Sequence, residues 1–464
     1  MTIRFEQFLT EGTAQLSYLV GDDAAGVAAV IDPRPDCGIY LEAARRYGLA
    51  ITHILETHIH ADFMSGAREL ADRAGGDVKL CVSIEGGARY GFGHEPLCDG
   101  QRLELGGLVL TARFTPGHTP EHMAFLLAEK GREESPFAVL TGDSLFADSV
   151  GRPDLLGDEQ TAALTRQLFE TMRDFYLTLD DGVLVYPCHG AGSACGPDIG
   201  QKIATTIGFE RRHNPYLQCG DLESFKQATL GGSPPVPSHY PRLKKVNAAG
   251  PPVMRPSPRC PALAIAAFEA ALRGDVQLLD TRDMLAFGGG HIEGALNIAA
   301  RPELSVWSGW LLDPQKPILL VLEDDRRVGE VVALLWRTGF THFAGYLAGG
   351  MAAWQEAARP LRRLRQSTVH EVSRELDEIQ LVDVRAPDEW QKGHVPGAVH
   401  RFVPDLAQSM DGLDRARPVA TYCASGFRAS IAASLLARAG FADVRNIPGS
   451  WKAWKAAGLP VEKP

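Results

Sequence analysis

The chain has 464 residues, of which 45% are hydrophobic and 22% charged, a globular composition that excludes disorder throughout and, at about 150 residues per domain, points to about three domains. The net charge of −10 supplies no basic field for nucleic acid or an anionic membrane, so neither is expected as a partner. Arg4 and Glu6 interrupt the apolar run a signal peptide needs, no long apolar stretch suggests a membrane span, and eight irregularly spaced cysteines without a CxxC pair fit free thiols in a cytoplasmic protein.

From the N-terminus, apolar runs predict strands at 28–31, 51–56, 108–114, 137–140 and 183–186, with helical patterns between several of them. Many of these strands are followed by a polar or glycine-rich turn, the place where α/β sheets present active residues. Thr57-His58-Ile59-His60-Ala61-Asp62 follows the second strand, Thr115-Pro116-Gly117-His118 the third and Thr141-Gly142-Asp143 the fourth. A single histidine in such a turn is most often a hydrogen-bonded structural residue, but the repetition of the arrangement argues for convergence on a metal.

Residues 231–261 are rich in proline and glycine, which oppose helix and sheet, and 236–258 are expected to form a linker after a first domain at 1–235. Beyond it lies an internal repeat. LLDTR at 278 answers LVDVR at 381, HIEGAL at 291 answers HVPGAV at 394, and Trp354 answers Trp454. Two copies of one α/β unit with parallel sheets are therefore expected, at 259–362 and 366–464, separated near the basic run PLRRLRQS. In the second copy Cys423-Ala424-Ser425-Gly426-Phe427-Arg428 joins a strand at 419–422 to a helix, so loop amides, the helix dipole and Arg428 can favour a thiolate. The first copy has Leu322-Glu323-Asp324-Asp325-Arg326-Arg327 there, with no nucleophile and three carboxylates that repel anions.

The N-terminal half resembles the metallo-β-lactamase superfamily, whose HxHxDH signature and later His, Asp and His fall on His58, His60, Asp62, His118, Asp143 and His189. The resemblance implies an αββα sandwich. It fails at one position: Phe63 stands where a histidine helps hold a second metal. What it then implies is the single-iron arrangement of persulfide dioxygenases, Fe(II), one per chain, on His58, His118 and Asp143, a two-histidine, one-carboxylate set with open positions for substrate and O2. His60, Asp62, Arg152 (in GRPDL) and His189 are expected to support the ligands or position substrate. Imidazole suits zinc as well, so the residue types leave both metals open.

The second repeat resembles the rhodanese family through Asp383, Arg385, the GHVPGA turn and the Cys423–Arg428 loop, which implies Cys423 as carrier of sulfur in a persulfide, with the loop amides and Arg428 binding the donor. The first copy keeps the frame but is expected to be inactive. Together these resemblances imply a fusion that oxidises a thiol persulfide with O2 to sulfite and moves sulfane sulfur to or from thiosulfate, as a homo-oligomer. The alternative is a glyoxalase-II-like metal-dependent thioesterase joined to a rhodanese.

Overall fold

The computed structural model describes residues 3–231 and 233–463. The chain divides into two compact units, one running to Ser257 and including Trp336–Gly339, the other comprising Pro258–Leu335 and the chain from Phe340 onward.

In the first unit two six-stranded sheets pack face to face. The first orders its strands Ile3–Thr10, Gln15–Asp22, Val27–Ile31, Ala50–Leu55, Lys79–Ser83 and Glu95–Leu97. The second orders Thr205–Thr206, Leu184–Pro187, Ala138–Gly142, Met123–Glu129, Leu108–Phe114 and Arg102–Leu105. Between the sheets, Leu16, Tyr18, Val20, Ala29 and Ile31 meet Leu108, Leu110, Ala112, Phe125, Leu127 and Leu140. The outer faces are covered by helices: Tyr40, Ala43 and Leu70 pack on Val30 and Ile54, and Leu168, Met172 and Phe225 on Val139 and Val185. Alternate residues of one strand thus feed two cores, and the result is the expected αββα sandwich. The ends of Val27–Ile31, Ala50–Leu55, Leu108–Phe114, Ala138–Gly142 and Leu184–Pro187 deliver the site residues.

The segment read as a helix-opposing linker differs from expectation, because Tyr240–Ala249 is an α-helix packed on this unit. Its proline, Pro241, lies in the first turn, where the missing N–H and fixed φ are compatible with a helix, and the remaining prolines lie outside it. Tyr240, Leu243 and Asn247 are buried.

The second unit holds both repeats, each built on a five-stranded parallel sheet. The order Ala262–Leu263, Phe343–Leu347, Ile318–Val321, Gln277–Asp280, Leu296–Asn297 is repeated by Arg365–Gln366, Val444–Asn446, Val419–Tyr422, Gln380–Asp383, Val399–His400. The frame is duplicated bond for bond. Arg282 chelates Asp280 and reaches Gly290 O at 2.8 Å, while Arg385 chelates Asp383 and reaches Gly393 O at 2.8 Å. Trp354 Nε1 donates to Pro360 O at 3.0 Å, as Trp454 Nε1 does to Pro460 O at 2.8 Å. One core runs through both copies, with Leu320, Val331 and Leu335 of the first in the same cluster as Val384, Val403, Ile431 and Leu436 of the second.

Candidate metal centre and persulfide loop

Three strand ends bring His58, His118 and Asp143 together with ligand atoms within 4.8 Å of one another, all buried. Asp143 Oδ2 lies 3.7 Å from His58 Nε2 and 3.4 Å from His118 Nε2. That oxygen is buried and has no hydrogen-bond partner among the described residues. A carboxylate oxygen stranded beside two ring nitrogens is costly unless a cation joins them, so this donor set fits a metal ion.

The tautomers agree. Thr57 Oγ1 donates to Asp32 Oδ2 at 2.9 Å and therefore accepts from His58 Nδ1, also at 2.9 Å, which leaves the Nε2 lone pair facing Asp143. His118 Nδ1 donates to Arg152 O at 3.0 Å with the same effect. Burial and the neighbouring histidines drive His58 well below the usual imidazole range, and burial likewise lowers His118, so both rings are neutral, as ligands must be. Gly142, at φ +51°, permits the turn, since a Cβ there would meet His122 Nε2 at 2.5 Å and Thr57 Cβ at 2.8 Å.

Behind the three sits a charged frame. His189 donates from Nδ1 to Asp143 Oδ1 at 2.7 Å and from Nε2 to Asp62 Oδ2 at 2.8 Å, so it bridges two carboxylates as an imidazolium. Although burial opposes the charge, Asp143 and Asp62 raise the His189 pKa well above its ordinary value. Asp62 and His189 are therefore closed on each other, and Phe63, buried with its ring centroid 4.4 Å from that of His60, offers no lone pair. His60 Nε2 sits between Asp32 Oδ1 at 3.0 Å and Glu56 Oε2 at 3.1 Å; burial works against its charge, but these carboxylates raise its pKa to about 10. The Arg152 guanidinium is consumed by Asp154 and by the carbonyls of Ala194 and Pro234, and it is the backbone oxygen of Arg152 that reaches His118.

Several residues of the centre escaped the sequence reading. Asp32, at φ +52°, binds Thr57 N, Thr57 Oγ1 and His60. His122 accepts Asp143 N at 3.0 Å on Nε2 and, with burial as the main cause, has a pKa lowered to about 3. Glu121 accepts Ile59 N at 3.0 Å, and Asn247, from the unanticipated helix, donates to the carbonyls of His60 and Phe63 at 2.8 Å. Asp32 follows a strand, as the turns with His58, His118 and Asp143 do, and His122 stands four residues after His118, so those two carry a usable signal.

In the second unit Cys423 follows the central strand Val419–Tyr422 and is 1% exposed. Gly426 N donates to its sulfur at 3.1 Å, made possible by φ +113° at Gly426. Ala424, Ser425 and Phe427 are half-buried, and the carbonyls of Cys423, Ala424 and Ser425 accept Trp451 N, Lys452 N and Gly449 N. The Arg428 guanidinium is held by Glu389 at 2.5 and 2.8 Å; burial disfavours its charge, but Glu389 and the Cys423 sulfur beside it raise its pKa. In the first copy the equivalent position, Leu322, is an apolar core residue.

Comparison with known proteins agrees with both halves. The metallo-beta-lactamase superfamily model matches residues 10–189, and the rhodanese-like domain model matches 265–357 and 368–457. A solved metallo-beta-lactamase from Staphylococcus aureus subsp. aureus COL is 30% identical, covers 75% of this chain and 99% of its own, and superimposes with a TM-score of 0.67. Persulfide dioxygenase ETHE1, mitochondrial, of Homo sapiens is 29% identical over 222 residues, 46% of this chain and 76% of that protein. A probable metallo-hydrolase of Burkholderia pseudomallei is 29% identical over 249 residues, 47% of this chain and 82% of that protein. The chain belongs to the metallo-beta-lactamase superfamily and carries two rhodanese-like domains after its metallo-beta-lactamase domain.

Proposed function

We propose that this enzyme of sulfur metabolism oxidises the sulfane sulfur of a low-molecular-weight thiol persulfide to sulfite with O2, and that Cys423 moves sulfane sulfur between that pool and thiosulfate. The observation that carries the reading is the ligand set His58, His118 and Asp143, two neutral imidazoles beside a carboxylate oxygen with no hydrogen-bond partner among the described residues, next to a position where Phe63 stands and Asp62 is tied to His189; the other buried groups spaced for a metal all depend on His60 or His189, whose rings neighbouring carboxylates hold charged. Similarity to persulfide dioxygenase supports it.

His58, His118 and Asp143 would hold one Fe(II), which when bound supplies open positions at which a thiolate sulfur and O2 can meet. Thr57 and the Arg152 carbonyl keep both ring Nε2 atoms deprotonated toward the metal, while His189 holds Asp143 as a carboxylate. Burial of the centre excludes bulk water and so disfavours hydrolysis of the persulfide. In the second unit the Gly426 amide and Arg428 stabilise negative charge on the Cys423 sulfur, which attacks the outer sulfur of thiosulfate, takes that atom as a persulfide and releases sulfite. Run backward, the same step consumes sulfite.

Similarity to a probable metallo-hydrolase favours a second reading, a metal-dependent thioesterase. Oxygen consumption with a panel of thiol persulfides, set beside hydrolysis of thioesters of the same thiols, separates the two. The expected result is O2 uptake with sulfite and thiosulfate released by the wild type. Cys423→Ser should preserve O2 uptake and shift the product toward sulfite, and Asp143→Ala should abolish uptake while sparing transfer from thiosulfate. Thioester hydrolysis without O2 uptake would overturn the reading.

A further inference from the structure

The helix Tyr240–Ala249 places Tyr240, Lys244 and Asn247 at positions i, i+4 and i+7, one face of an α-helix, and the contacts of that face are Cys195, Glu121 and the carbonyls of His60 and Phe63. Two of the three have evident structural work. Asn247 donates to the His60 and Phe63 carbonyls and accepts Ser65 N at 2.9 Å, fixing the turn that carries His58. Tyr240 is 4% exposed, with its hydroxyl 3.9 Å from Cys195 Sγ.

Lys244 is different. Its Nζ is shut off from solvent, yet it makes no hydrogen bond among the described residues. Its ion contact, Glu121 Oε1, lies at 3.7 Å, beyond hydrogen-bond reach, and that oxygen is already taken by Ile59 N between His58 and His60. Three ammonium donors are thus left without an acceptor at a cost that a buried charge does not ordinarily bear. Because Glu121 binds the amide of the residue between His58 and His60, the ammonium beside it lies against the turn that carries those two histidines.

We infer that Lys244 is an anion-binding residue of the metal centre, donating hydrogen bonds to the sulfur oxyanion formed there. The inference rests on the proposed persulfide oxidation for the identity of the anion, sulfite. It accounts for the unmatched donors: an oxyanion has several acceptor oxygens, and charge-assisted bonds to it are the strong kind. It also gives the helix after the sandwich a chemical role in addition to covering the turn.

The test is anaerobic calorimetric titration of the full-length Fe(II)-loaded protein with sulfite, with metal content measured for every variant. Lys244→Met should weaken sulfite about tenfold or more at unchanged metal content, and Lys244→Arg should stay within about threefold of wild type. Glu121→Gln keeps an acceptor for Ile59 N but removes the counter-charge, and should tighten sulfite by about threefold or more. Wild-type affinity in Lys244→Met would overturn the inference. If Lys244→Met loses metal, the Glu121→Gln titration decides, and unchanged or weakened binding there overturns it equally. Absence of O2 uptake by the wild type would sink the dioxygenase reading alone, because the titration measures binding without turnover.

Discussion

Ser430 Oγ donates to Asn297 Oδ1 at 2.5 Å, joining the helix of the persulfide loop in one rhodanese copy to a strand end of the other. Asn297 in turn donates to the carbonyls of Asp280 and Arg282 at 3.1 and 2.9 Å, and its own N–H is taken by Ser434 Oγ at 3.1 Å. Both ends are buried, so every one of these groups needs its partner. In the copy without a nucleophile the bridge therefore rests on the backbone carbonyls of the turn that the Asp280–Arg282 ion pair spans.

Asn297→Ala should accordingly destabilise the second unit by about 2–4 kcal/mol, since it orphans the Ser430 hydroxyl and the Arg282 carbonyl and leaves the Asp280 carbonyl only the Ile298 N–H. Denaturant melts of full-length protein followed by tryptophan fluorescence would register it. A loss under about 0.5 kcal/mol would mean that water replaces the bridge.

Metal content tests the ligand assignment. Anaerobically purified protein should carry one iron per chain, and His118→Ala and Asp143→Asn should each lose most of it. Elemental analysis decides, and two metals per chain would contradict the role given to Phe63 and the Asp62–His189 pair.

Thr57→Val keeps the side-chain shape but deprives His58 Nδ1 of its acceptor and Asp32 Oδ2 of a donor. Metal affinity should fall about 10–100-fold, with Thr57→Ser close to wild type, as read by competition with a chelator.

An acid-side test comes from Glu389. Burial alone would raise its pKa, but the Arg428 hydrogen bonds and charge outweigh burial and lower it. With a folded pKa below the unfolded value of about 4.3, the pair's contribution is fully present above that pH and is lost as pH falls through the lower folded value. Glu389→Gln should therefore reduce stability most near neutrality, and the difference from wild type should shrink below about pH 4. Thermal melts across pH 3–7 would show the convergence, and a constant gap would assign the loss to packing.

Strands whose apolar run ends in a turn are legible from sequence: Leu108–Phe114 and Val419–Tyr422 agree to the residue, and His58, His118 and Asp143 stand out because they follow such strands, whose ends the structure brings together. What escaped depends on distance along the chain. Asp32 acts on His60 from 28 residues away, in a turn that follows a strand but holds no histidine, and Asn247 from 187 residues away, in a segment with no mark of metal chemistry. The helix at Tyr240–Ala249 was hidden by proline content, since a count of prolines does not distinguish a first-turn proline from one that breaks a helix. The Arg428–Glu389 pair was likewise invisible, because helix and loop meet only through the sheet order.

The inert loop holds a last consequence. Asp325 stands at the position of Gly426, in a 3-10 turn, and its carboxylate accepts the Gly349 N–H, whereas in the other copy the matching Gly449 N–H goes to the backbone of Ser425. Asp324 chelates Arg326, and Arg327 is held by Glu330 of the following helix. Reinstating a thiol by Leu322→Cys alone would leave it without the amide that a left-handed glycine presents in the sister loop. Resurrection would require at least a second change, at Asp325, which also severs the bond to Gly349. The missing nucleophile is thus only part of what separates the two loops: Asp325 holds Gly349 and Asp324 holds Arg326, so a thiol alone restores no site, while Asn297 still ties this copy to its sister.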